Sequence, residues 1–328
     1  MASAKEISNR IKSIKDTMKI TRAMYMISSI KLRKAKKNLE ETEPYFYGLQ
    51  GEIAGILYRF PDAVNLFFDN REKDLKEKVK RRGIVVITGD KGMCGAYNHN
   101  VLKEAEKLIK DSKKYRLFVV GAVGRNYFYT RNYPLPRDFT YTATNPSIHR
   151  ARNISETIIE LYKKERLDEV WVVYTRMVNS MRSDVEIEEV LPLKQRKFAR
   201  DEIIKRKQKA QMAHGHLKKL EDIDINVRSE DTDDTVLLSG SDMIIRPSVD
   251  DLIEKIVYNY LTGFIYGALV EASACEENAR MMAMSNATDN ADNILKDLSL
   301  EYNKVRQAGI TQEITEVIGG AKALKSKN

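Results

Sequence analysis

The sequence predicts an α/β domain inserted between two long helices that pair as a coiled coil. Three observations lead to this fold class. Apolar residues recur at alternating intervals of four and three between Ile7 and Leu39. No proline follows Pro247, so the rest of the chain can form one helix. Between these ends, short β-branched apolar runs alternate with helix-forming stretches, which is typical of a parallel sheet.

The N-terminal helix is predicted within residues 1–60. Its seam repeats every 3.5 residues on average, the period of a left-handed coiled coil. The seam consists of Ile7, Ile11, Ile14, Met18, Thr21, Tyr25, Ser28, Leu32, Ala35 and Leu39. Because Thr21 and Ser28 are polar, we expect the partner helix to supply part of the packing.

The C-terminal helix is predicted within residues 243–328. Its seam contains Ala287, Ala291, Ile294 and Leu298, followed by Tyr302 and Val305. A helix of about 70 residues is roughly 105 Å long. A compact globule of this chain length has a radius of gyration of only about 20 Å. We therefore expect the helix to protrude and to pair with the N-terminal helix.

The central domain is predicted within residues 75–194. Its buried parallel strands are GIVVIT (83–88), RLFVVG (116–121) and EVWVVY (169–174), with helices between them at Tyr97–Ile109 and Ile148–Tyr162. This alternation indicates a Rossmann-like sheet, to which SDVEIEEVLPL (183–193) adds an edge strand. Residues 195–242 form a further insertion, basic in its first half and acidic in its second. It is either a solvated surface segment or a regulatory, partner-binding hairpin.

Composition limits the class of protein. The 56 Lys and Arg outnumber the 47 Asp and Glu, and the net charge of +9 favours an acidic partner: nucleic acid, an anionic membrane surface or acidic protein loops. Cys94 and Cys275 are too few for a disulfide framework or a zinc site, which favours a reducing compartment. No apolar run of about 18 residues is present, so no membrane span is predicted. Without an apolar signal core, the chain is expected to begin at Met1 and stay cytosolic.

No catalytic constellation is predicted. The loop TGDKGMCGAYN (88–98) follows a strand, as phosphate-binding loops do, but matches neither nucleotide fingerprint; Gly92 and Gly95 more simply permit a tight turn. His214 and His216 could begin a metal site, yet no further ligands accompany them. We therefore predict no enzyme activity, no cofactor and no metal.

Two surfaces point to macromolecular partners. The basic run KLRKAKK (31–37) could contact nucleic acid, but Leu32 and Ala35 of the seam pass through it, which favours an acidic protein partner or simple solvation. Residues 18–30 are apolar on nearly all sides of the helix, and residues 308–324 show little contrast between faces. Since one stripe suffices for a two-stranded coil, both segments predict enclosure by other subunits.

Several stretches resemble the gamma subunits of F-type ATP synthases. They are ITQEITEVIGGAKA (310–323), ARMMAMSNATDNADNILKDLSLEYNKVRQAGITQE (279–313), AKEISNRIKSIKDTMKITRAMYMISSIKLRKAKK (4–37) and DKGMCGAYN (90–98). The resemblance covers both long helices fully and the middle more loosely. It implies that the terminal helices form an antiparallel coiled-coil shaft, and that the chain is a non-catalytic central rotor. Such a rotor couples proton or sodium translocation to ATP synthesis or hydrolysis.

The resemblance also implies partners and contacts. The partners are the alpha and beta subunits of the catalytic ring, the epsilon subunit and the membrane c-ring, at the cytoplasmic face of a bacterial plasma membrane; nucleic acid is not a partner. The residues implied to meet the catalytic ring are Met24, Lys31, Arg33, Lys34, Arg280, Arg306, Gln307 and Thr311. Ile245, Arg246 and Pro247 replace the family's Y-E-P, so a local contact there can differ. The insertion has no cysteine, so the thiol regulation of chloroplast-type relatives is not carried over; we expect surface decoration or a brake on ATP hydrolysis.

Overall fold

The computed structural model describes residues 3–59, 66–68, 79–179, 182–194 and 249–325. The elements in these ranges are α1 (Ala4–Arg59), β1 (Arg81–Ile87), α2 (Tyr97–Lys110), β2 (Lys114–Val120), α3 (Ala122–Thr130), α4 (Ile148–Lys163), β3 (Glu169–Met177), β4 (Ser183–Leu191) and α5 (Val249–Lys325). The charged insertion 195–242 and residues 245–247 lie outside the described residues.

The chain divides into two compact units. The first comprises Met1–Ser29 and Arg280–Asn328, and the second comprises Ile30–Ala279. Both α1 and α5 are continuous helices that contribute residues to each unit. The α/β domain belongs entirely to the second unit.

The sheet of the second unit has the strand order β2-β1-β3-β4. The first three strands are parallel, with Val85 of β1 opposite Phe118 of β2 and Val172 of β3. The last strand runs antiparallel to β3 and lies at the edge of the sheet. This arrangement confirms the predicted parallel strands and the added edge strand.

Both faces of the sheet are buried, which explains the continuous apolar runs of its strands. Ile84 and Val86 of β1 pack with Val101 and Ala105 of α2 on one face. The alternate residues of β1, Val85 and Ile87, face the opposite way because successive side chains of a strand alternate. They share the larger core with apolar residues of α4 and α5, among them Ile154, Ile158, Leu261, Ile265 and Leu269.

Within the second unit, α1 and α5 run antiparallel. Lys31 forms an ion pair with Glu277, Nζ to Oε1, at 3.3 Å. Fifteen residues further along α1, the ring of Phe46 stacks on Tyr260 of α5 with centroids 5.4 Å apart. Later positions on α1 therefore meet earlier positions on α5. The helix α1 also continues through Pro44, although proline cannot donate the helical hydrogen bond.

Candidate functional site

In the first unit, α1 and α5 pair through a seam of regular spacing. The α5 side of this seam is buried or half-buried at intervals of four and three residues: Met284, Thr288, Ala291, Leu295, Leu298, Tyr302 and Val305. The Oγ1 atoms of Thr21 and Thr288 lie 2.8 Å apart across it. Arg22 and Asp292 form an exposed ion pair beside it at 3.6 Å. The predicted antiparallel coiled coil is confirmed.

The structure corrects the predicted seam at two positions. Tyr25 is 40% exposed, whereas its neighbour Met24 is half-buried. On α5, Ile294 is 48% exposed and Leu295 is buried. An α-helix drifts by about 20° per heptad against an ideal 3.5-residue repeat, so a neighbouring residue can take over the inward position. Where both neighbours are apolar, as at these two places, the sequence does not distinguish them.

The end of α5 is helical but uncovered. Among the α5 residues whose side chains are described, which end at Gly319, Val305 is the last half-buried one, and every position from Arg306 to Gly319 is exposed. Four large apolar side chains recur here at intervals of four, three and one: Ile310 (47%), Ile314 (54%), Val317 (72%) and Ile318 (52%). We name these four residues the terminal stripe. A stripe of this kind on an exposed helix marks an interaction surface.

A second apolar surface lies on α1. In the first unit, Ile20, Met26 and Ile27 are 61%, 66% and 53% exposed. Ile30, the first residue of the second unit, is 67% exposed. These side chains point away from the seam that Met18, Thr21 and Met24 form. The α1 helix is therefore apolar on its outer side as well, as its sequence indicates.

The residues implied to meet the catalytic ring fall into distinct environments in the first unit. Arg306, Gln307 and Thr311 are exposed on the uncovered end of α5, where the Thr311 hydroxyl donates to the Gln307 carbonyl at 2.9 Å. Met24 is half-buried in the seam. Arg280 is buried, with 7% of its surface exposed, so the isolated chain does not present it as a surface residue.

The basic residues on α1 belong to the second unit. Arg33 and Lys34 are exposed. Lys31 is half-exposed and pairs with the buried carboxylate of Glu277. Sequence analysis did not single out Glu277; the available signal was the acidic pair at 276–277 within a largely buried stretch of α5.

The loop after β1 closes on itself rather than opening as a phosphate site. The Asp90 carboxylate accepts hydrogen bonds from the backbone N–H groups of Ala122, Ala143 and Thr144 at 3.0, 2.9 and 2.7 Å, and from the Thr144 hydroxyl at 2.6 Å. Ala122 begins α3, and a helix N-terminus is where a phosphate group would bind. The Asp90 carboxylate already accepts the Ala122 N–H, which is the donor that a phosphate group would need.

Glycine geometry supports the interpretation of this region as a tight turn. Gly121, before α3, has a φ of 97°, and a Cβ at this position would lie 2.2 Å from the Thr88 carbonyl oxygen. Gly95 has a φ of 57°. Both backbone conformations favour glycine. Gly121 thus allows close packing against Thr88, and Gly95 allows a left-handed turn in the 88–98 loop. A Cβ on Gly92 would lie in open space and its φ is not positive, so its geometry does not require glycine.

The described residues contain no cluster of three His, Cys, Asp or Glu side chains that could hold a metal ion. No helix among them is long and apolar enough to cross a membrane. Cys94 and Cys275 are buried, and burial raises the pKa of the Cys275 thiol, which disfavours the reactive thiolate. His214 and His216 lie outside the described residues.

The sequence is similar to known proteins over nearly its whole length. The family model for ATP synthase matches residues 3–324. The ATP synthase gamma chain of Acetivibrio thermocellus is 40% identical over 325 residues, covering 99% of this chain and 100% of the relative. That of Caldanaerobacter subterraneus subsp. tengcongensis is 41% identical over 318 residues, covering 97% and 98%. The sodium ion specific ATP synthase gamma chain of Acetobacterium woodii is 34% identical over 319 residues, covering 97% and 98%.

Solved structures share the fold. A chain of the Euglena gracilis mitochondrial ATP synthase, in an assembly of OSCP, F1 and c-ring, is similar with a TM-score of 0.59 at 15% identity, covering 98% of this chain and 95% of that chain. A chain of the central stalk and c-ring of the Tetrahymena thermophila mitochondrial ATP synthase is similar with a TM-score of 0.53 at 21% identity, covering 82% and 99%.

Proposed function

Because this chain belongs to the ATP synthase gamma chain family, we propose that it is the central rotor shaft of an F-type ATP synthase. It couples proton or sodium translocation through the membrane sector to ATP synthesis or hydrolysis in a ring of alpha and beta subunits. The chemistry takes place in the ring, and this chain carries no catalytic site of its own.

The terminal stripe is the observation that carries the proposal. Ile310, Ile314, Val317 and Ile318 are exposed on a helix that extends beyond its coiled-coil partner. Exposed apolar side chains at this density are costly in water and require a partner. A bearing formed by the alpha and beta subunits covers them and still permits sliding, because apolar contacts are not directional.

Rotation acts through differential binding. A stiff, asymmetric helix pair presents a different face to each catalytic subunit as it turns. Each face stabilises one open or closed state of that subunit, so a change of angle shifts its nucleotide affinity. In this proposal the ring contacts come from Arg280, Arg306, Gln307 and Thr311 on α5 and from Met24, Lys31, Arg33 and Lys34 on α1.

The remaining parts of the chain take the roles that their positions favour. Segments 1–60 and 243–328 form the shaft, and 75–194 forms the foot that meets the epsilon subunit and the c-ring. The insertion 195–242 acts as a brake on hydrolysis or as surface decoration. The complex works at the cytoplasmic face of the bacterial plasma membrane, where the chain is a peripheral component.

Reconstitution tests this proposal directly. The full chain is combined with the alpha and beta subunits of the same organism, and assembly is followed by light scattering and ATP hydrolysis. We expect a stoichiometric complex with sustained hydrolysis. The triple variant Ile310→Asp, Ile314→Asp, Val317→Asp should lower hydrolysis by about tenfold or more, because each carboxylate would have to be buried in the bearing.

A matched control is Tyr129→Asp, which replaces a large side chain on α3, 73% exposed, with an acidic one. It should leave hydrolysis unchanged. Wild-type chain that forms no complex with these subunits, or a triple variant with full activity, contradicts the proposal. Nucleotide binding by the isolated chain would instead favour a nucleotide-dependent enzyme.

A further inference from the structure

The helix α5 makes polar contacts with the α/β domain in two places: at the surface, where Glu254 pairs with Lys163 and Tyr258 donates to Glu156, and in a more buried segment further along. We name Glu271, Ala272, Glu276 and Glu277 the collar. The preceding turns of α5 bury mainly apolar side chains: Tyr260, Leu261, Phe264, Ile265, Ala268 and Leu269. Together the members of the collar contact three parts of the second unit. All of these contacts lie within that unit.

Glu271 connects α5 to the two adjacent strands at the edge of the sheet. Its carboxylate accepts the backbone N–H of Met177, at the end of β3, at 3.1 Å. The same carboxylate lies 3.8 Å from Nε of Arg176. Arg176 also donates to Glu186 of β4 at 3.2 Å. One guanidinium therefore joins the helix and the edge strand.

Two further contacts reach the β1–α2 connection. The hydroxyl of buried Tyr97, the first residue of α2, donates to the carbonyl oxygen of Ala272 at 3.1 Å. The carboxyl group of buried Glu276 lies against Gly89: a Cβ on Gly89 would be 2.8 Å from Cδ and 2.9 Å from Oε1. The backbone at Gly89 therefore lies closer to the Glu276 carboxyl group than a residue with a Cβ atom could.

The fourth contact joins the two long helices. Glu277 is buried, and its Oε1 pairs with Nζ of Lys31 on α1 at 3.3 Å. The collar thus connects α5 to β3, to the β1–α2 connection and to α1 within seven residues, about 10 Å of helix.

These contacts fix the rotational position of α5. Each residue turns an α-helix by about 100°, so Glu271, Ala272 and Glu276 fall within an arc of roughly 140°. The close-packed apolar core also resists such a turn, and the polar contacts add partners that are matched at one angle only. The hydrogen bond from the Met177 N–H to the half-buried Glu271 carboxylate is lost when the helix turns, and the buried Glu276 carboxyl group leaves its place against Gly89. Burying carboxylates costs stability, and fixing one arrangement is the best-attested benefit of such groups.

We propose that the collar is a rotational lock that fixes the α/β domain at one angle about α5 and transmits torque between them. Glu271 and Glu276 are its principal positioning residues. The inference rests on the proposed rotor function, since torque matters only in a chain that turns.

The assembled complex tests the lock. The catalytic ring is fixed to a surface, and a bead is attached to the α/β domain through Lys103→Cys, an exposed position on α2. The width of the bead's angular distribution during catalytic pauses measures the torsional stiffness. The double variant Glu271→Ala, Glu276→Ala should broaden this distribution roughly twofold, because the Glu271 hydrogen bond and the packing of the Glu276 carboxyl group against Gly89 are both lost. Gly89→Ala should broaden it as well, by displacing the Glu276 carboxyl group from the opposite side.

Glu254→Gln is the matched control. It removes the α5 carboxylate that pairs with Lys163 of α4. Because this contact is exposed and lies outside the collar, the variant should keep the wild-type width. An unchanged width in both the double variant and Gly89→Ala overturns the lock. A wild-type chain that neither assembles nor rotates overturns the rotor function instead.

Hydrogen exchange in the isolated chain tests the lock even for variants that do not assemble. In the isolated chain, the double variant should speed exchange of the Met177 amide by about tenfold or more, since its acceptor on Glu271 is gone. The amide of Val172, within the sheet, should keep its wild-type protection. Equal exchange of Met177 in wild type and variant, with the fold intact, overturns the proposal; loss of protection at both amides assigns Glu271 and Glu276 to folding and also overturns it.

Discussion

Thr21 and Thr288 place hydroxyl groups 2.8 Å apart in a seam that is otherwise largely apolar. From α1 alone, the polar residue seemed to require apolar packing from its partner. The partner instead supplies a second hydroxyl, which satisfies the first without water. A polar pair at one seam position favours the alignment that brings its members together, at some cost in stability. These two threonines therefore help to set how α1 and α5 are aligned.

Asp90 shows how a single carboxylate can organise a loop, and its titration makes this testable. Burial alone would raise its pKa, but hydrogen bonds from the Thr144 hydroxyl and the backbone of Thr144, Ala143 and Ala122 lower the pKa below the ordinary 3.8. Because the pKa is lower in the folded state, the ionised group stabilises the fold at pH values above the pKa of the unfolded chain. This stability is lost as the pH falls through the folded value.

We therefore expect Asp90→Asn to lower the free energy of unfolding by about 1–3 kcal/mol at neutral pH. The deficit should shrink below about pH 4, where the wild-type carboxylate also becomes protonated. Urea unfolding of both chains across this pH range measures it. Asp138→Asn, at an exposed acid of the same domain, is the control. A deficit that does not depend on pH would contradict the role of the charge.

At the scale of elements, the parts that follow one periodic signal were predictable from the sequence. The strands β1, β2 and β3 are buried on both faces, so their apolar runs are continuous and unambiguous. Both long helices were predictable from their heptad spacing. The sequence could not show whether Ile294 or Leu295 faces inward, because both are apolar and only the packing of the partner helix decides between them.

The polar contacts were less accessible to sequence analysis. Asp90 binds residues more than thirty positions away, and no local pattern encodes such distances. Arg280 resembles a surface contact of the family but is buried in this chain. Glu271 and Glu276 likewise acquire their partners only when the sheet packs on α5. Long-range pairing of polar groups is a property of the fold, whereas periodicity is a property of the segment.

Pro44 is an exception within α1, and its replacement provides a test of the helix. Proline cannot donate the backbone hydrogen bond to the Glu40 carbonyl oxygen four residues earlier, and its ring crowds that oxygen. Pro44→Ala should therefore raise the free energy of unfolding by about 1–3 kcal/mol, because part of the helical gain is offset by lost contacts of the half-buried ring. Chemical denaturation measures this change.

The control for Pro44→Ala is Glu40→Ala, an exposed position on the preceding turn, which should change stability by less than about 0.5 kcal/mol. A less stable Pro44→Ala chain would show that packing of the proline ring outweighs the missing hydrogen bond.

At the scale of the whole molecule, the two units differ in how much apolar surface they bury. The second unit contains a sheet covered on both faces and a large core. The first unit is a helix pair, and few of its described apolar residues are buried: Ile7, Met284, Leu295 and Leu298. It also carries the exposed terminal stripe. Since apolar burial is the dominant favourable term in folding, the first unit should be the less stable one in the isolated chain.

The single tryptophan allows this difference to be measured. Trp171 lies on β3, where it is half-buried with the Arg82 guanidinium 5.8 Å from its ring, so its fluorescence reports the second unit. Far-ultraviolet circular dichroism reports helix in both units. On heating, we expect the helical signal to begin falling at least about 5 °C below the midpoint of the Trp171 transition, because the units do not unfold as one two-state system. A chain with Trp171→Phe and Tyr302→Trp moves the fluorescent probe to the first unit and should show the lower transition. Coincident curves from both probes would mean that the two units unfold together, and would refute a separately labile helix pair.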